Sequence, residues 1–323
     1  MLIDTHAHLN FNAYKKDAEE VIRRSLDADI WMINIGTQYD TSKKAIEIAE
    51  KYEKGVYAAI GLHPIHLAES RRRVLDEGFT PHRRETGLVK IKNDTEEIEI
   101  KTREEEFDYE KYKSLAKSKK IVAIGEFGLD YYWRPKTTKK KEIFKQKQKE
   151  AFLQQLKLAK ELNLPVILHC RVAHDDLISF LQNPNNNAMA QNVGIKGVMH
   201  GFVGTTEQLQ KYLDMGLYIG FNGIIFKNIE GINFEENIRK TPLDKILIET
   251  DCPYLTPPQE QGRNEPLFVK YVAEKIAKIK NIRAKRTLFS SSPSFLLRKN
   301  SVYEEISRIT TENAQKLFKN RAS

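Results

Sequence analysis

The sequence predicts an α/β protein built as a TIM-type (β/α)8 barrel, and three observations carry that expectation. Short β-rich apolar runs recur along the 323 residues. Segments with helical periodicity separate them. Six of the eight runs end in a residue able to bind a metal or move a proton. Strand–helix alternation implies parallel strands, because each return to one sheet needs a crossover. Eight such units favour a closed barrel over an open sheet, and such barrels carry their chemistry at the C-terminal strand ends.

In order, the runs are Leu2–Thr5, Ile30–Ile35, Val56–Ile60 and Ile121–Gly125, then Pro165–Leu168, Ile195–Met199, Leu217–Phe221 and Ile246–Glu249. The clearest helical patterns are Thr41–Tyr52 and Glu142–Leu162. In the second, Phe144, Phe152, Leu156, Ala159 and Leu162 form an apolar stripe, with Lys and Gln on the other face. Residues 69–119, 183–192 and 284–300 break the repeat: the first is long and highly charged, the second Asn-rich, and the third contains Ser290–Ser294. All three are expected as surface insertions on one barrel domain spanning residues 1–323. The first has the pattern of a strand pair at Gly87–Ile91 and Glu97–Lys101, although a coiled loop is the expectation.

Hydrophobic residues make up 40% and charged residues 30%, a balance that supports a sizeable core. Lys plus Arg number 53 against 44 Asp plus Glu, a net charge of +9. That favours polyanionic partners through phosphate neutralisation, but it equally describes a Lys-rich surface and decides nothing alone. Cys170 and Cys252 are too few for a disulfide framework and suit a reducing cytosol. Asp4, His6 and His8 interrupt the stretch where the apolar region of a signal peptide would lie. No apolar run approaches the roughly 20 residues that span a bilayer. The expectation is a soluble, cytoplasmic protein with no membrane partner, its oligomeric state open and a monomer compatible.

The chemistry sits where the strands end. The first strand runs into Asp4-Thr5-His6-Ala7-His8, the third into Gly61-Leu62-His63-Pro64, and the fourth into Gly125-Glu126-Phe127-Gly128-Leu129-Asp130. The fifth gives His169-Cys170-Arg171, the sixth His200-Gly201-Phe202-Val203-Gly204, and the eighth Glu249-Thr250-Asp251-Cys252-Pro253. Side chains alternate along a strand, so His6 and His8 project together into the barrel mouth. Imidazole and carboxylate together suit Zn2+, Mn2+ or Fe2+, and carboxylates also admit Mg2+. One His is more often structural, and an HxH pair alone is a weak signal. Five His at strand ends need a common purpose. The residues point to a metal-dependent hydrolase whose site comprises His6, His8, Glu126, His169, His200 and Asp251.

These motifs, taken in order, resemble the TatD family of metal-dependent deoxyribonucleases among the amidohydrolase-type barrels. Its carriers include Asp4–Leu9, Ile60–Pro64, Ala123–Tyr132, Leu164–Arg171 and His200–Gly204. Further carriers are Ile248–Pro257, Gly262–Pro266 and Thr311–Phe318, so nearly the whole chain outside the insertions is covered. The resemblance implies that His6, His8 and Asp251 hold one metal, His169 and His200 a second, and that Glu126 bridges them. A carboxylate can link two cations, whereas a neutral imidazole serves one. It further implies cleavage of DNA phosphodiester (ester) bonds, mainly exonucleolytic on single strands, with Mg2+ the usual ion and Zn2+ or Mn2+ also found. The mechanism expected is hydrolysis assisted by two divalent ions roughly 3.5–4 Å apart, which lower the pKa of a water. Asp251 then orients and deprotonates that water, or acts as a structural ligand only.

Supporting residues carry paired readings. His63 meets a substrate phosphate or braces a ligand through a hydrogen bond. Arg171 forks onto a phosphate or pairs with a carboxylate. Arg263 and Asn264 meet a nucleotide or tie their own loop together. Glu249 and Asp130 support the site. Tyr131, Tyr132 and Trp133 are candidates for base stacking, but buried rim aromatics are the expectation. Cys170, Phe127 and Gly201 depart from the family's usual residues, and the Cys170 side chain should point away from that of His169. The first insertion bears on substrate preference more than on chemistry. Two other functions compete. One is hydrolysis of an amide, ester or lactone, including deacylation of tRNA, on the same fold. The other is a non-catalytic nucleic-acid scaffold, which has no need of six ligands.

Overall fold

The computed structural model describes residues 1–67, 88–92, 97–101, 104–132, 135, 137–183, 195–280 and 295–318, with backbone only for 88–92, 97–101 and 295–302. The barrel strands are β1 (Leu2–Ala7), β2 (Ile30–Ile35), β3 (Val56–Ile60), β6 (Ile121–Asp130) and β7 (Val166–Arg171), followed by β8 (Gly197–Met199), β9 (Tyr218–Phe221) and β10 (Ile246–Ile248). They form one parallel sheet in the order β1-β2-β3-β6-β7-β8-β9-β10. The two edges meet. Ala7 pairs with Cys252, Asp251 N donates to His6 O at 2.8 Å and His8 N to Cys252 O at 2.9 Å. These bonds satisfy edge groups that would otherwise need a partner, and the barrel is nearly closed.

The helices are α1 (Ala18–Asp27), α2 (Tyr39–Ala49), α3 (Tyr109–Leu115), α4 (Thr138–Glu161), α5 (His174–Gln182), α6 (Thr206–Asp214), α7 (Phe234–Lys240), α8 (Val269–Lys280) and α9 (Phe295–Leu317). Strand alternation sends one side-chain set outward to them and the other inward. The inner set, including Ile3, Ile33, Ala59, Ala123, Ile167, Val198 and Leu247, packs together with Ala314 and Leu317 of α9 and with Phe318 just after it. Asn313 donates to Leu243 O at 2.8 Å and Ile246 O at 2.9 Å, and Thr311 to Met1 O at 3.1 Å. The closing motif thus seals the N-terminal end of the barrel and leaves the other end for chemistry. Among the described residues no helix is long and apolar enough to cross a membrane.

Three expectations are corrected. The Gln residues of α4 do not all lie on its polar face, because Gln148 and Gln155 are buried with Phe152 and Leu158. The segment at residues 69–119 is not a coil throughout. Leu88–Lys92 (β4) pairs antiparallel with Glu97–Lys101 (β5), and Phe107, Tyr112 and Ala116 are buried around α3. Its return is pinned to the rim by Glu105 N donating to His66 O at 2.9 Å. Residues 295–300, assigned to the third insertion, open α9. Asn183 caps α5, while residues 184–192, 284–294 and Trp133 lie outside the described residues.

Candidate metal centre

Asp4 begins the site by tying the first strand to the last. Its carboxyl accepts Thr250 N at 2.9 Å, Thr250 Oγ1 at 2.5 Å and His6 N at 3.2 Å. Burial pushes the Asp4 carboxyl up to about 8 despite the opposing hydrogen bonds from Thr250. This link, with the Asp251–His6 backbone bond, brings the HxH segment of β1 against the loop after β10.

Glu126 occupies the middle. Its Oε1 lies 2.7 Å from His169 Nδ1, 3.5 Å from His63 Nε2 and 3.7 Å from His200 Nε2. Its Oε2 lies 3.3 Å from His6 Nε2. Asp251, held at φ 58°, places Oδ1 3.4 Å from His8 Nε2 and 3.9 Å from His6 Nε2, and Oδ2 4.0 Å from His200 Nε2. Ligand atoms of His6, His8 and Glu126 lie within 4.8 Å of one another, as do those of His6, His200 and Asp251, and of Glu126, His169 and His200. All six expected ligands therefore converge. A fourth group adds His63 and Asp130 to His169.

Hydrogen bonds decide which ring nitrogen faces inward. His200 donates Nδ1–H to Glu249 Oε2 at 2.8 Å, which leaves Nε2 for the centre. His8 donates Nδ1–H to Ile35 O at 3.0 Å with the same result. His169 is turned the other way, Nδ1 on Glu126 and Nε2 3.3 Å from Asp130. His63 Nδ1 accepts Ile65 N at 3.1 Å, so its proton sits on Nε2 and points toward Glu126.

The charges are strongly coupled. Burial alone would lower the pKa values of His169 and His200. Asp130 and Glu126 outweigh it for His169, raised to about 9, and Glu249 does so for His200, raised to about 10. For His6, burial, aided by the charge of His200, outweighs the opposing pull of Glu126 and lowers it to about 4. Burial would raise Asp251, but the His8 hydrogen bond and the nearby imidazoles hold it below the usual carboxylate range. The Glu126 carboxyl is held well below that range too, its burial being overcome by His63 and His6.

These donors fit divalent cations. Neither buried ring nitrogen of His6 makes a hydrogen bond, although its ring stacks 3.4 Å from that of His200. An unmet buried imidazole costs free energy that a coordinated cation would offset. The mixture of imidazole and carboxylate is the donor set such ions prefer.

The remaining expected residues divide. His63 and Glu249 touch the cluster. Arg171 ends β7 with its guanidinium 3.7 Å over the Tyr132 ring. Tyr131 is buried and donates to Asp176 at 2.5 Å, whereas Tyr132 is exposed, against expectation. Arg263 and Asn264 both make bonds within the protein, in keeping with the bracing reading of the two. Arg263 forks onto Asp17, with Nη2 2.6 Å from Oδ2, and lies 4.0 Å over the Tyr14 ring. Asn264 is buried, its amide donating to Thr250 O at 3.0 Å and Tyr254 O at 2.6 Å. Cys170 faces the helix layer, within bonding reach of Tyr212.

Sequence reasoning missed two residues that position the site. Gln155 accepts Leu62 N at 2.8 Å and donates to Leu62 O at 3.1 Å. Gln148 does the same for Asp130, at 2.9 and 3.0 Å. Each amide holds the backbone beside a site residue, His63 in one case and Asp130 itself in the other. Their separation of seven residues, two helical turns on the apolar stripe, was the available signal. Gly128 is a third device: a Cβ there would fall 1.8 Å from His169 O.

The chain is similar to known proteins along nearly its whole length. The family pattern described as TatD related DNase matches residues 3–319. The chain is 37% identical over 322 residues to YabD of Bacillus subtilis strain 168, an uncharacterized metal-dependent hydrolase, covering 99% of both chains. It is 30% identical over 282 residues to the 3'-5' ssDNA/RNA exonuclease TatD of Pantoea ananatis, covering 85% of this chain and 90% of that one. The solved structure of the TatD homolog YJJV from Escherichia coli K12 superposes with a TM-score of 0.69 at 26% identity, covering 99% of this chain and 98% of its own. With eight parallel strands, a His, Asp and Glu cluster at their ends and a family match along nearly its full length, the chain belongs to the TatD family of metal-dependent hydrolases.

Proposed function

We propose that the protein is a two-metal phosphodiesterase that removes nucleotides from the ends of single-stranded DNA. The observation that carries this reading is the placement of Glu126, whose two oxygens face His6 on one side and His169 and His200 on the other. A carboxylate so placed can serve two cations at once. His6, His8 and Asp251 would hold one ion, and His169 and His200 the other. When bound, divalent ions lower the pKa of water and neutralise developing charge on phosphoryl oxygens; Mg2+ is the activating ion proposed, with Zn2+ or Mn2+ as substitutes.

The protein's own groups do the rest. Asp251 is kept ionised and its side chain is 19% exposed, so it can orient a water and accept its proton. His63, with its proton on Nε2, is placed to donate to a phosphate oxygen or to Glu126. The net charge of +9 favours a polyanionic substrate. Both cysteines are free, which suits the reducing cytoplasm where we place the activity.

The test uses end-labelled single-stranded DNA with Mg2+, Mn2+ or EDTA. The expected result is metal-dependent release of mononucleotides, abolished in Glu126→Ala and Asp251→Ala. Stoichiometric metal with no cleavage under any ion rejects the reading and favours hydrolysis of an amide, ester or lactone. Tight DNA binding without turnover favours a scaffold.

A further inference from the structure

Beside the metal cluster lies a buried hydroxyl that the mechanism above does not use. Tyr254 follows Asp251 in the loop after β10. The residue is partly exposed, yet its hydroxyl oxygen is buried, so the hydroxyl points into the protein. Among the described residues none accepts a hydrogen bond from it. An unmet buried O–H costs free energy, so this position is set for an acceptor that the chain does not supply. Burial, and after it the charges of Asp251 and Glu126, raise the phenol well above its ordinary value. Both carboxylates belong to the cluster, and their charge acts on the phenol because it lies near them. The group therefore stays protonated and is a donor at every working pH.

The loop fixes that donor in place. Tyr254 N donates to Asp251 O at 3.0 Å. The buried Asn264 amide reaches Thr250 O at 3.0 Å, Tyr254 O at 2.6 Å and Leu255 O at 3.3 Å, and so holds the backbone on both sides of Asp251. Asp251 and Leu255 bracket the segment, each at φ 58°, a left-handed conformation that side chains with a Cβ adopt rarely. Strain of this kind concentrates at ligand sites. Asp251 and the phenol are thus parts of one braced turn.

We propose that Tyr254 is a substrate-binding residue whose hydroxyl donates to a non-bridging oxygen of the phosphoryl group under attack. This rests on the nuclease reading and adds to it a donor aimed at the charge that develops on that oxygen. Such an oxygen only accepts, and hydrogen bonds to charged oxygens are the stronger kind. A neutral donor also suits the place. Lys or Arg there would pair with Asp251 and Glu126 and compete with cations for them, whereas a phenol adds no charge.

The test removes only the hydroxyl, in Tyr254→Phe, and measures binding and stability apart from cleavage. Inorganic phosphate is titrated into Co2+-loaded protein by calorimetry, and the metal-free protein is unfolded in denaturant. The variant should keep its metal content and bind phosphate about 10- to 100-fold more weakly. Metal-free, it should be as stable as wild type or more so, because an unmet donor has been removed. A hydroxyl that merely braces the fold gives the opposite pattern, lost stability with unchanged phosphate affinity. That pattern, loss of metal from the variant, or a wild type that binds no phosphate, overturns the proposal. Cleavage of labelled single-stranded DNA judges the nuclease reading separately. Phosphate binding that depends on Tyr254 with no nucleotide released under any ion rejects that reading and upholds the donor. Nucleotide release by wild type with phosphate affinity unchanged in Tyr254→Phe does the reverse.

Discussion

His200 donates Nδ1–H to Glu249 at 2.8 Å, and that one bond leaves Nε2 facing Glu126 and Asp251. Glu249 is fully buried and also accepts Gly201 N at 3.0 Å, so its oxygen cannot swing away without stranding two donors.

Glu249→Ala should therefore weaken divalent-metal binding about 10- to 100-fold, with Glu249→Gln intermediate because its amide oxygen can still accept from Nδ1. Chelator competition monitored with Co2+ absorption measures it. Unchanged affinity in Glu249→Ala would mean that Glu249 does not orient His200.

Protein stripped with EDTA should lose thermal stability as pH rises from about 6.5 to about 10. His169 and His200 have folded pKa values raised to about 9 and about 10, so each contributes stability fully present below its unfolded value of 6.5. That contribution is lost as pH passes the raised values. Asp4, raised from 3.8 to about 8, binds a proton in the fold that it lacks when unfolded, and acts in the same direction. His6, lowered to about 4, titrates below this window and does not oppose it. A melting temperature that rises across the window would contradict the assignment.

Gln155→Leu should destabilise the fold by about 2 kcal/mol or more, since it leaves both backbone groups of buried Leu62 unmet. His63 follows Leu62 directly, so turnover per folded molecule should fall as well. Denaturant unfolding and kinetics separate the two effects, and a variant as stable as wild type would show that water replaces the amide.

Gly128→Ala should fail to give a soluble barrel, or should displace β7. The added Cβ would sit 1.8 Å from His169 O and 2.9 Å from His169 N, which are backbone atoms with nowhere to go. Normal expression with full metal content would refute the contact.

Arg263→Ala should lower stability by about 1 kcal/mol, a value kept small because its pair with Asp17 is partly exposed. The Michaelis constant for DNA should not change, since the guanidinium is spent on Asp17, Ala13 and the Tyr14 ring. A large rise in that constant with little loss of stability would return Arg263 to the substrate.

Much of the fold was legible because it rests on local pattern. Alternating or continuous apolar runs such as Ile30–Ile35 and Val56–Ile60 fall on observed strands with identical limits. Position in the repeat likewise put the six candidate ligands at strand ends. What escaped was polar residues whose partners are distant in sequence. Gln148 and Gln155 look like solvent-facing helix residues until β6 and the loop after β3 arrive to fill their amides. Arg263 and Asn264 look like loop residues free to meet a ligand until Asp17 and Thr250 are brought beside them.

By itself, then, the sequence determined the strand–helix alternation, the imidazoles and carboxylates at the strand ends and the family they mark, since these depend on side-chain periodicity and residue type along the chain. The tertiary structure alone decided which ring nitrogen of each His faces the centre, that Tyr132 is exposed while Tyr131 is buried, and which polar side chains are consumed in bracing. The reason is physical: hydrogen-bond direction and burial are properties of pairs brought together across the barrel, and no single segment carries them.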